Sequence, residues 1–355
     1  MSTIESQSAP IEALRRALNG GRLHHAYLFA GPDGVGKALT AQALAEALLC
    51  ETPLEMGDAC GQCNTCLRTK QRQHPDLHIV QRGRKKDGSP EQQIKIDQIR
   101  TLQQALSYKA YEAHRRVVIL LDAHAMNPAT ANALLKTLEE PGPNTHFILV
   151  SAAPHLLLPT ILSRCQRVRF GPLPRNVVAR HLAEKAGLEP EMADLLAGLA
   201  EGSIGRGLEI AESPVLAERL SLIEGIDDPE GIHKVPILID LAESLARRKP
   251  DLPLVFQVMR SWFRDVLLVQ TGMPAENLVH RDLLERLQQR AEGLTGPQVL
   301  ERLAWVSDAE QAIAYRSANA RMVLETMCLK LAMSHRSSKP AQRSAQAARL
   351  ASAVE

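Results

Sequence analysis

The stretch AYLFAGPDGVGKALT occupies residues 26–40 and decides the fold of the first part of the chain. An apolar run is followed by the spacing Gly31-x4-Gly36-Lys37, which is typical of a phosphate-binding loop between a strand and a helix. Such a loop points backbone N–H groups at a phosphate, and the helix dipole and the lysine add positive potential. The stretch therefore predicts a P-loop-type α/β domain. The candidate nucleotide-binding residues in it are Gly31, Gly34, Gly36 and Lys37.

The metal-binding half of such a site is incomplete in the sequence. The residue after the lysine normally offers a hydroxyl to Mg²⁺, but this chain has Ala38 there, and Thr40 comes two positions later. A second apolar run ends at Asp122, a further candidate for the nucleotide site, and Ala123 stands where a carboxylate would polarise the attacking water. We expect a loop that binds ATP, ADP or nothing, without efficient turnover. The alternative is a glycine-rich tight turn with no ligand.

Short apolar runs alternate with helical stretches between about residues 10 and 170, which predicts a largely parallel sheet. The expected strands are 26–30, 77–80, 117–122 and 146–151. Pro172 and Pro174 then mark a change to all-helical sequence. Long amphipathic patterns at 255–270 and 299–333 predict a helical bundle. The expected domains are an α/β domain (1–171), a small helical domain (172–212), a helical bundle (213–335) and a disordered tail (336–355).

Four of the six cysteines are clustered in the sequence, at Cys50, Cys60, Cys63 and Cys66. In a chain without secretory features, thiols at this spacing are metal ligands more often than disulfides. Four thiolates suit a tetrahedral, structural Zn²⁺, so the segment 50–66 is predicted to be a zinc insertion. The alternatives are an iron–sulfur cluster and a redox dithiol. His74 and His78 are expected to be solvated or packing residues, and Cys165 and Cys328 to be core residues.

The overall composition limits the possible functions. Lys and Arg number 42 against 40 Asp and Glu, giving a net charge of +2, so any nucleic-acid contact must be local. Aromatic residues are only 3% of the chain, which argues against a stacking platform for single strands. The segment QRGRKKDG at 81–88 is basic, and we expect a solvated loop there rather than a phosphate contact. With no apolar run long enough to span a bilayer and no secretory signal, a cytoplasmic location is expected.

Four motifs stand out together in the sequence: LHHAYLFAGPDGVGK (23–37), the four-cysteine insertion, ANALLKTLEEP (131–141) and LLPTILSRCQ (157–166). In this combination the chain closely resembles one family, the delta-prime subunits of the bacterial DNA polymerase III clamp loader within the AAA+ superfamily. The resemblance is weaker over EGSIGRGLE (201–209) and SANARMVLETMCLKL (317–331). It implies an AAA+ fold in which residues 172–212 form the lid and 213–335 an oligomerisation collar.

The resemblance also implies roles for individual residues. Arg164 matches the arginine that reaches into the ATP site of a neighbouring subunit and neutralises charge on the transferred phosphoryl group, an effect of about 10³ to 10⁵ in rate. Ser151 occupies a sensor position near the γ-phosphate, and Arg206 resembles the sensor of the lid domain. The implied partners are ATPase subunits of the gamma/tau type and the clamp-opening delta subunit in a hetero-oligomer, and indirectly the sliding clamp and primed DNA, with no membrane.

The leading functional hypothesis is a clamp-loader subunit that acts in trans without an efficient ATPase site of its own. The alternative is an active AAA+ motor subunit of the same complex that uses Lys37 and Asp122, with Thr40 or water replacing the missing hydroxyl. A P-loop kinase of small molecules fits the loop but neither the cysteine module nor the helical C-terminal region. A stand-alone zinc-containing DNA-binding protein is disfavoured by the near-neutral charge.

Overall fold

A computed structural model describes residues 4–54, 57–85, 91–227, 235–316 and 318–333. The chain divides into two compact units. The first contains the residues up to His181 together with Glu201–Arg206, and the second contains Leu182–Ala200 and the residues from Gly207 onward. The expected tail at 336–355 lies outside the described residues. Among those described, no helix combines the length and apolar character that crossing a membrane requires.

The first unit is built on a parallel sheet, which has five strands within the described part of the chain. The strands are β1 (Ala26–Ala30), β2 (Leu77–Val80), β3 (Arg116–Leu120), β4 (Thr145–Ser151) and β5 (Gln166–Arg169). Their spatial order is β2-β3-β4-β1-β5, and every pairing is parallel. The near-continuous apolar sequence of β1, β3 and β4 follows from this position, because strands inside a parallel sheet are covered on both faces.

Four of the strands lie where the sequence predicts them, although β3 and β4 begin one residue earlier and β3 ends at Leu120. The sequence analysis missed β5. Its sequence, QRVR, buries only Val168, because β5 is an edge strand that pairs with β1 alone. An edge strand with one buried side chain lacks the apolar run on which the other predictions depended.

Helices cover both faces of the sheet. The helices up to this point of the chain are α1 (Ser8–Asn19), α2 (Lys37–Leu49), α3 (Asn64–Lys70), α4 (Ile96–Ser107), α5 (Pro128–Glu139), α6 (Pro159–Leu162) and α7 (Arg175–Ala186), whose residues from Leu182 onward belong to the second unit. Leu14 of α1 and Leu44 of α2 pack with Phe29 in the core on one face. Ile99 of α4 and Leu134 of α5 pack with residues of β3 and β4 on the other face. These two cores confirm the predicted α/β class.

The described part of the second unit is helical, as the sequence predicts. Its helices are α8 (Pro190–Leu199), α9 (Ile204–Ala211, which begins in the first unit), α10 (Pro214–Ala217), α11 (Arg219–Ile226), α12 (Val235–Arg247), α13 (Leu252–Gln270), α14 (Leu284–Gly293), α15 (Gly296–Arg316) and α16 (Ala320–Met333). Helix α13 packs against α14 and α15, and α12 packs against α16. The pattern at 299–333 is divided between two helices, and Asn319 accepts the N–H of Arg321 at the start of α16.

A cluster of buried charges lies inside this helical unit. The carboxylate of Asp227 is 2.5 Å from Nε of Arg290 and 3.6 Å from Nε of Arg286. Burial raises the pKa of Asp227, and the charges of Arg290 and Arg286 oppose that rise. Asp227 and Arg290 therefore depend on each other, since a buried charge without its partner is strongly unfavourable.

Candidate functional site

The phosphate loop leaves β1 at Ala30 and enters α2 at Lys37. Gly34 and Gly36 have left-handed backbones, with φ of +69° and +100°, which explains the preference for glycine at both. A Cβ at Gly34 would lie 2.2 Å from Oγ of Ser203 and 2.8 Å from the backbone nitrogen of Gly205. The loop is therefore in close contact with the segment that carries Arg206, within the first unit.

Lys37 lies under this loop and is only 4% exposed. Its Nζ donates to the carbonyl oxygen of Gly31 at 2.7 Å and to that of Pro32, and it lies 3.5 Å from the carboxylate of Asp33. Burial lowers the pKa of Lys37, and the charges of Asp33 and Asp122 oppose this decrease. The ammonium group is thus held within the loop, where a phosphate would bind.

The hydroxyl group of Thr40 already has a hydrogen-bond acceptor in the structure. This side chain is fully buried, and its Oγ1 donates to the carbonyl oxygen of Gly36 at 2.9 Å. Ala38 follows Lys37 in α2 and has no polar side-chain atom. Thr40 is therefore engaged within its own helix, which argues against its replacing the missing Mg²⁺ ligand.

Asp122 follows β3 and has a left-handed backbone, with φ of +51°. One of its carboxylate oxygens accepts a hydrogen bond of 2.8 Å from Nε of Arg82. Both side chains are about one-third exposed, at 35% and 34%. Ala123, the next residue, is buried. The carboxylate that the sequence analysis placed in the nucleotide site is thus already paired with a cation.

Ser151 and Arg206 lie close to different parts of the phosphate loop. Ser151 ends β4 directly beside Ala30 of β1, and its carbonyl oxygen accepts the N–H of Gly31 at 3.3 Å. Its Oγ is 3.3 Å from Nδ1 of His124. The backbone N–H of Arg206 is capped by Oγ of Ser203 at 3.0 Å, and Ser203 faces Gly34.

The structure brings the four predicted metal ligands together. The sulfur atoms of Cys50, Cys60, Cys63 and Cys66 all lie within 4.8 Å of one another. The sulfurs of Cys60 and Cys66 are 3.9 Å apart, close to the roughly 3.8 Å that a tetrahedral site with Zn–S bonds of about 2.3 Å requires. This donor set fits a metal ion such as zinc.

Backbone hydrogen bonds shape the same cysteine cluster. The N–H groups of Cys60, Cys63 and Cys66 each donate to the sulfur of another cysteine in the cluster, at 3.4 Å. A hydrogen bond from the Thr52 side chain and backbone donors lower the pKa of Cys60 to about 5, whereas burial raises the pKa of Cys66. Donors directed at sulfur favour the thiolate form that binds metals.

Arg164 lies at the end of α6, just before β5. Its Nη1 donates to the carbonyl oxygen of Thr160 at 2.9 Å, and its Nη2 is 2.7 Å from the carboxylate of Glu139. The side chain remains 35% exposed. The guanidinium group is therefore supported on one side and open to solvent on another.

The sequence analysis missed two residues of the phosphate-loop region, Arg82 and His124. Arg82 belongs to the segment that was expected to be a solvated loop, of which Lys86 lies outside the described residues. Forty positions separate Arg82 from Asp122, so no local pattern indicates their contact. His124 is two residues after Asp122, and that proximity was the available signal.

His74 is a buried packing residue at 3% exposure, and its Nδ1 accepts the N–H of Asp76 at 3.1 Å. Cys328 is fully buried, as expected for a core residue. Cys165 is partly buried and packs against the core that contains β3 and β4.

Comparison with known proteins places the chain among replication proteins. A family model described as DNA polymerase III, delta subunit, matches residues 6–174. DNA polymerase III subunit delta′ of Bacillus subtilis (strain 168) is 32% identical over 332 residues, which cover 92% of this chain and 96% of that protein. The Pseudomonas aeruginosa subunit of the same name is 33% identical over 326 residues, covering 90% and 96%. Among solved structures, a gamma subunit-related protein from Thermotoga maritima has a TM-score of 0.43 at 20% identity, covering 92% of this chain and 99% of that one.

Both sequence relatives are subunits of DNA polymerase III. The chain belongs to their family, that of the delta′ subunits. This membership confirms the resemblance that the motifs indicated.

Proposed function

We propose that the chain acts in the cytoplasm as the delta′ subunit of a DNA polymerase III clamp loader. In this proposal it assembles with ATPase subunits of the gamma/tau type and with a delta subunit, and the hetero-oligomer loads a sliding clamp on primed DNA. Support comes from the relatives, which match nearly the whole chain. The lid (172–212) and the collar (213–335) keep their proposed roles, and the collar supplies the contacts of assembly.

We infer that the chain catalyses in a neighbour's site rather than in its own. The observation that carries this inference is the setting of Arg164, whose guanidinium is held by Glu139 and by a carbonyl oxygen of α6 while part of it faces solvent. A supported guanidinium has a defined direction, and an arginine that acts in trans must be positioned before the neighbouring subunit arrives. The chain's own candidate nucleotide site has Ala38 after Lys37 and Ala123 after Asp122, where the metal ligand and the catalytic carboxylate would stand.

The test is steady-state ATP turnover of the loader reconstituted with clamp and primed DNA, comparing the wild type with Arg164→Ala. We expect a loss of about ten-fold or more, the lower part of the range for arginine fingers. Arg167→Ala is the matched control, because Arg167 is an exposed arginine three positions away on β5. Gel filtration of each reconstituted complex separates a catalytic loss from failed assembly. Unchanged turnover by a fully assembled Arg164→Ala complex contradicts the proposal.

The second candidate function, an active motor that hydrolyses ATP at its own loop, has less support. It needs Thr40 or water to replace the missing hydroxyl, and Thr40 is buried and donates to Gly36. Robust turnover by the isolated chain that is lost in Lys37→Ala would favour this candidate.

We also propose that the cysteine cluster holds one structural Zn²⁺, with Cys50, Cys60, Cys63 and Cys66 as ligands. Four thiolates leave no open coordination position, so the ion would stabilise the segment between α2 and α3 and take no part in a reaction. Elemental analysis of the purified chain tests this: we expect about one zinc per chain, and much less in Cys63→Ser. Cys165→Ser is the control, since Cys165 is outside the cluster. Bound iron, or no metal in the wild type, contradicts the assignment.

A further inference from the structure

The phosphate loop offers few oxygen ligands to a divalent cation. Mg²⁺ in nucleotide sites is bound by oxygen atoms, from carboxylates, hydroxyls, water and the phosphates themselves. Ala38 and Ala123 supply none, and the hydroxyl of Thr40 is directed at Gly36. The carboxylates of Asp33 and Asp122 both face cations: Asp33 lies 3.5 Å from Lys37, and Asp122 is paired with Arg82.

The ion pair between Arg82 and Asp122 determines whether this carboxylate is available to a metal ion. Nε of Arg82 donates to Oδ2 of Asp122 at 2.8 Å, so the cation is in direct contact with the carboxylate. The charge of Asp122 also acts on Lys37, whose pKa it helps to raise against the effect of burial. Asp122 therefore lies within electrostatic reach of both cations. A guanidinium stays charged at any physiological pH, so Arg82 keeps its attraction for Asp122 across that range.

We propose that the loop binds the polyphosphate of a nucleotide without a divalent cation, and that Arg82 is the residue that determines this preference. The inference rests on the proposed ability of the loop to bind nucleotide. Arg82 neutralises Asp122, which would otherwise repel the phosphates, and it occupies the carboxylate that a metal ion would use. Lys37 and the N-terminus of α2 then supply the remaining positive potential.

The experiment measures ADP binding to the full chain by calorimetry, once in EDTA and once with excess Mg²⁺. For the wild type we expect Mg²⁺ to give no gain in affinity, because Mg²⁺ removes free ADP from solution and the loop offers the cation no ligand. For Arg82→Gln we expect binding in EDTA to weaken about ten-fold, the effect of losing one favourable charge contact, and Mg²⁺ to restore it, because the freed Asp122 then binds the cation. Arg84→Gln is the matched control, since Arg84 is exposed in the same loop, and it should behave as the wild type.

A double variant tests whether Mg²⁺ restores ADP binding through the carboxylate of Asp122. If Mg²⁺ acts through the freed carboxylate, Arg82→Gln combined with Asp122→Asn must gain no affinity for ADP when Mg²⁺ replaces EDTA. Lys37→Ala should abolish binding in every solution, which places the nucleotide at this loop. A merely structural role of Arg82 would weaken binding in both solutions alike.

Three results would overturn the proposal. They are a wild-type affinity that rises ten-fold or more with Mg²⁺, an Arg82→Gln variant with no response to Mg²⁺, and the absence of ADP binding by the wild type. The Arg164 experiment measures turnover at a different site in the assembled loader, so the proposed function and this inference can fail separately.

Discussion

Asp76 precedes β2 and is the clearest place to test how the first unit is held together. Its carboxylate accepts three backbone N–H groups from one loop: Oδ1 from Tyr111 at 2.7 Å, and Oδ2 from Glu112 at 2.9 Å and Ala113 at 2.8 Å. The residue is only 2% exposed. The loop leads into β3, and Arg68 of α3 pairs with Glu112 at 2.6 Å. Asp76 thus fixes the loop between α4 and β3 next to the cysteine module.

We predict that Asp76→Asn loosens this loop by about 3 kcal/mol. A hydrogen bond to a charged group contributes about 1.5–3 kcal/mol net, and asparagine keeps one acceptor oxygen, so one or two of the three bonds are lost. At about 1.4 kcal/mol per factor of ten, the amides of residues 111–113 should lose roughly 10²-fold in protection. Hydrogen exchange measured by mass spectrometry on a peptide covering 108–115 reads this directly, and a peptide from α13 is the internal control.

The same prediction has a pH dependence. Burial alone would raise the pKa of Asp76, but the three backbone donors outweigh it and the pKa is lowered. A carboxyl whose pKa is lower in the folded state stabilises that state above its unfolded pKa, about 3.9, and this contribution disappears as pH falls through the folded value. The difference between wild type and Asp76→Asn should therefore be complete near neutral pH and shrink in strong acid. Equal protection of the two proteins at neutral pH, or a difference that persists unchanged in acid, would refute the reasoning.

Two further changes test other parts of the chain. Gly34→Ala should destabilise the first unit by more than Gly21→Ala in thermal unfolding. Both glycines have left-handed backbones, where adding a side chain costs about 1–2 kcal/mol. A Cβ at Gly21 meets nothing within 4 Å, whereas one at Gly34 collides with Ser203. Equal losses would mean that the loop does not make this contact in solution. Asp227→Ala should destabilise the helical unit by about 3–5 kcal/mol in urea unfolding, because it removes the carboxylate that lies 2.5 Å from the buried Arg290. Asp251→Ala, at the start of α13, is the control for losing an aspartate.

Much of the fold followed from the sequence because its signals are local. Strands β1 to β4 are apolar runs, and the phosphate loop and the cysteine cluster have fixed spacings. Those patterns reflect backbone geometry or ligand geometry, which act over a few residues. The pattern at 299–333 also indicated helix correctly but not the break before Ala320.

The missed features depend on contacts between distant positions. The pairing of Arg82 with Asp122 and the edge position of β5 arise only when the sheet is assembled. The hydrogen bond of Thr40 is local, but a threonine hydroxyl in a helix has two choices, an i−4 carbonyl or an outside partner. The sequence does not decide between them, and the structure selects the carbonyl of Gly36.

The ladder between β1 and β5 joins the two candidate functional regions of the first unit, the phosphate loop and Arg164. Four residue pairs connect the strands, from Tyr27 with Gln166 to Ala30 with Arg169. The phosphate loop follows one end of this ladder and Arg164 precedes the other, and the ladder itself is roughly 10 Å long. The backbone hydrogen bonds of the ladder therefore connect the loop directly to the strand that follows Arg164. Under the proposed function the loop of this subunit does not hydrolyse ATP, so this ladder keeps one arrangement and the timing of the reaction depends on the movement of the neighbouring subunit.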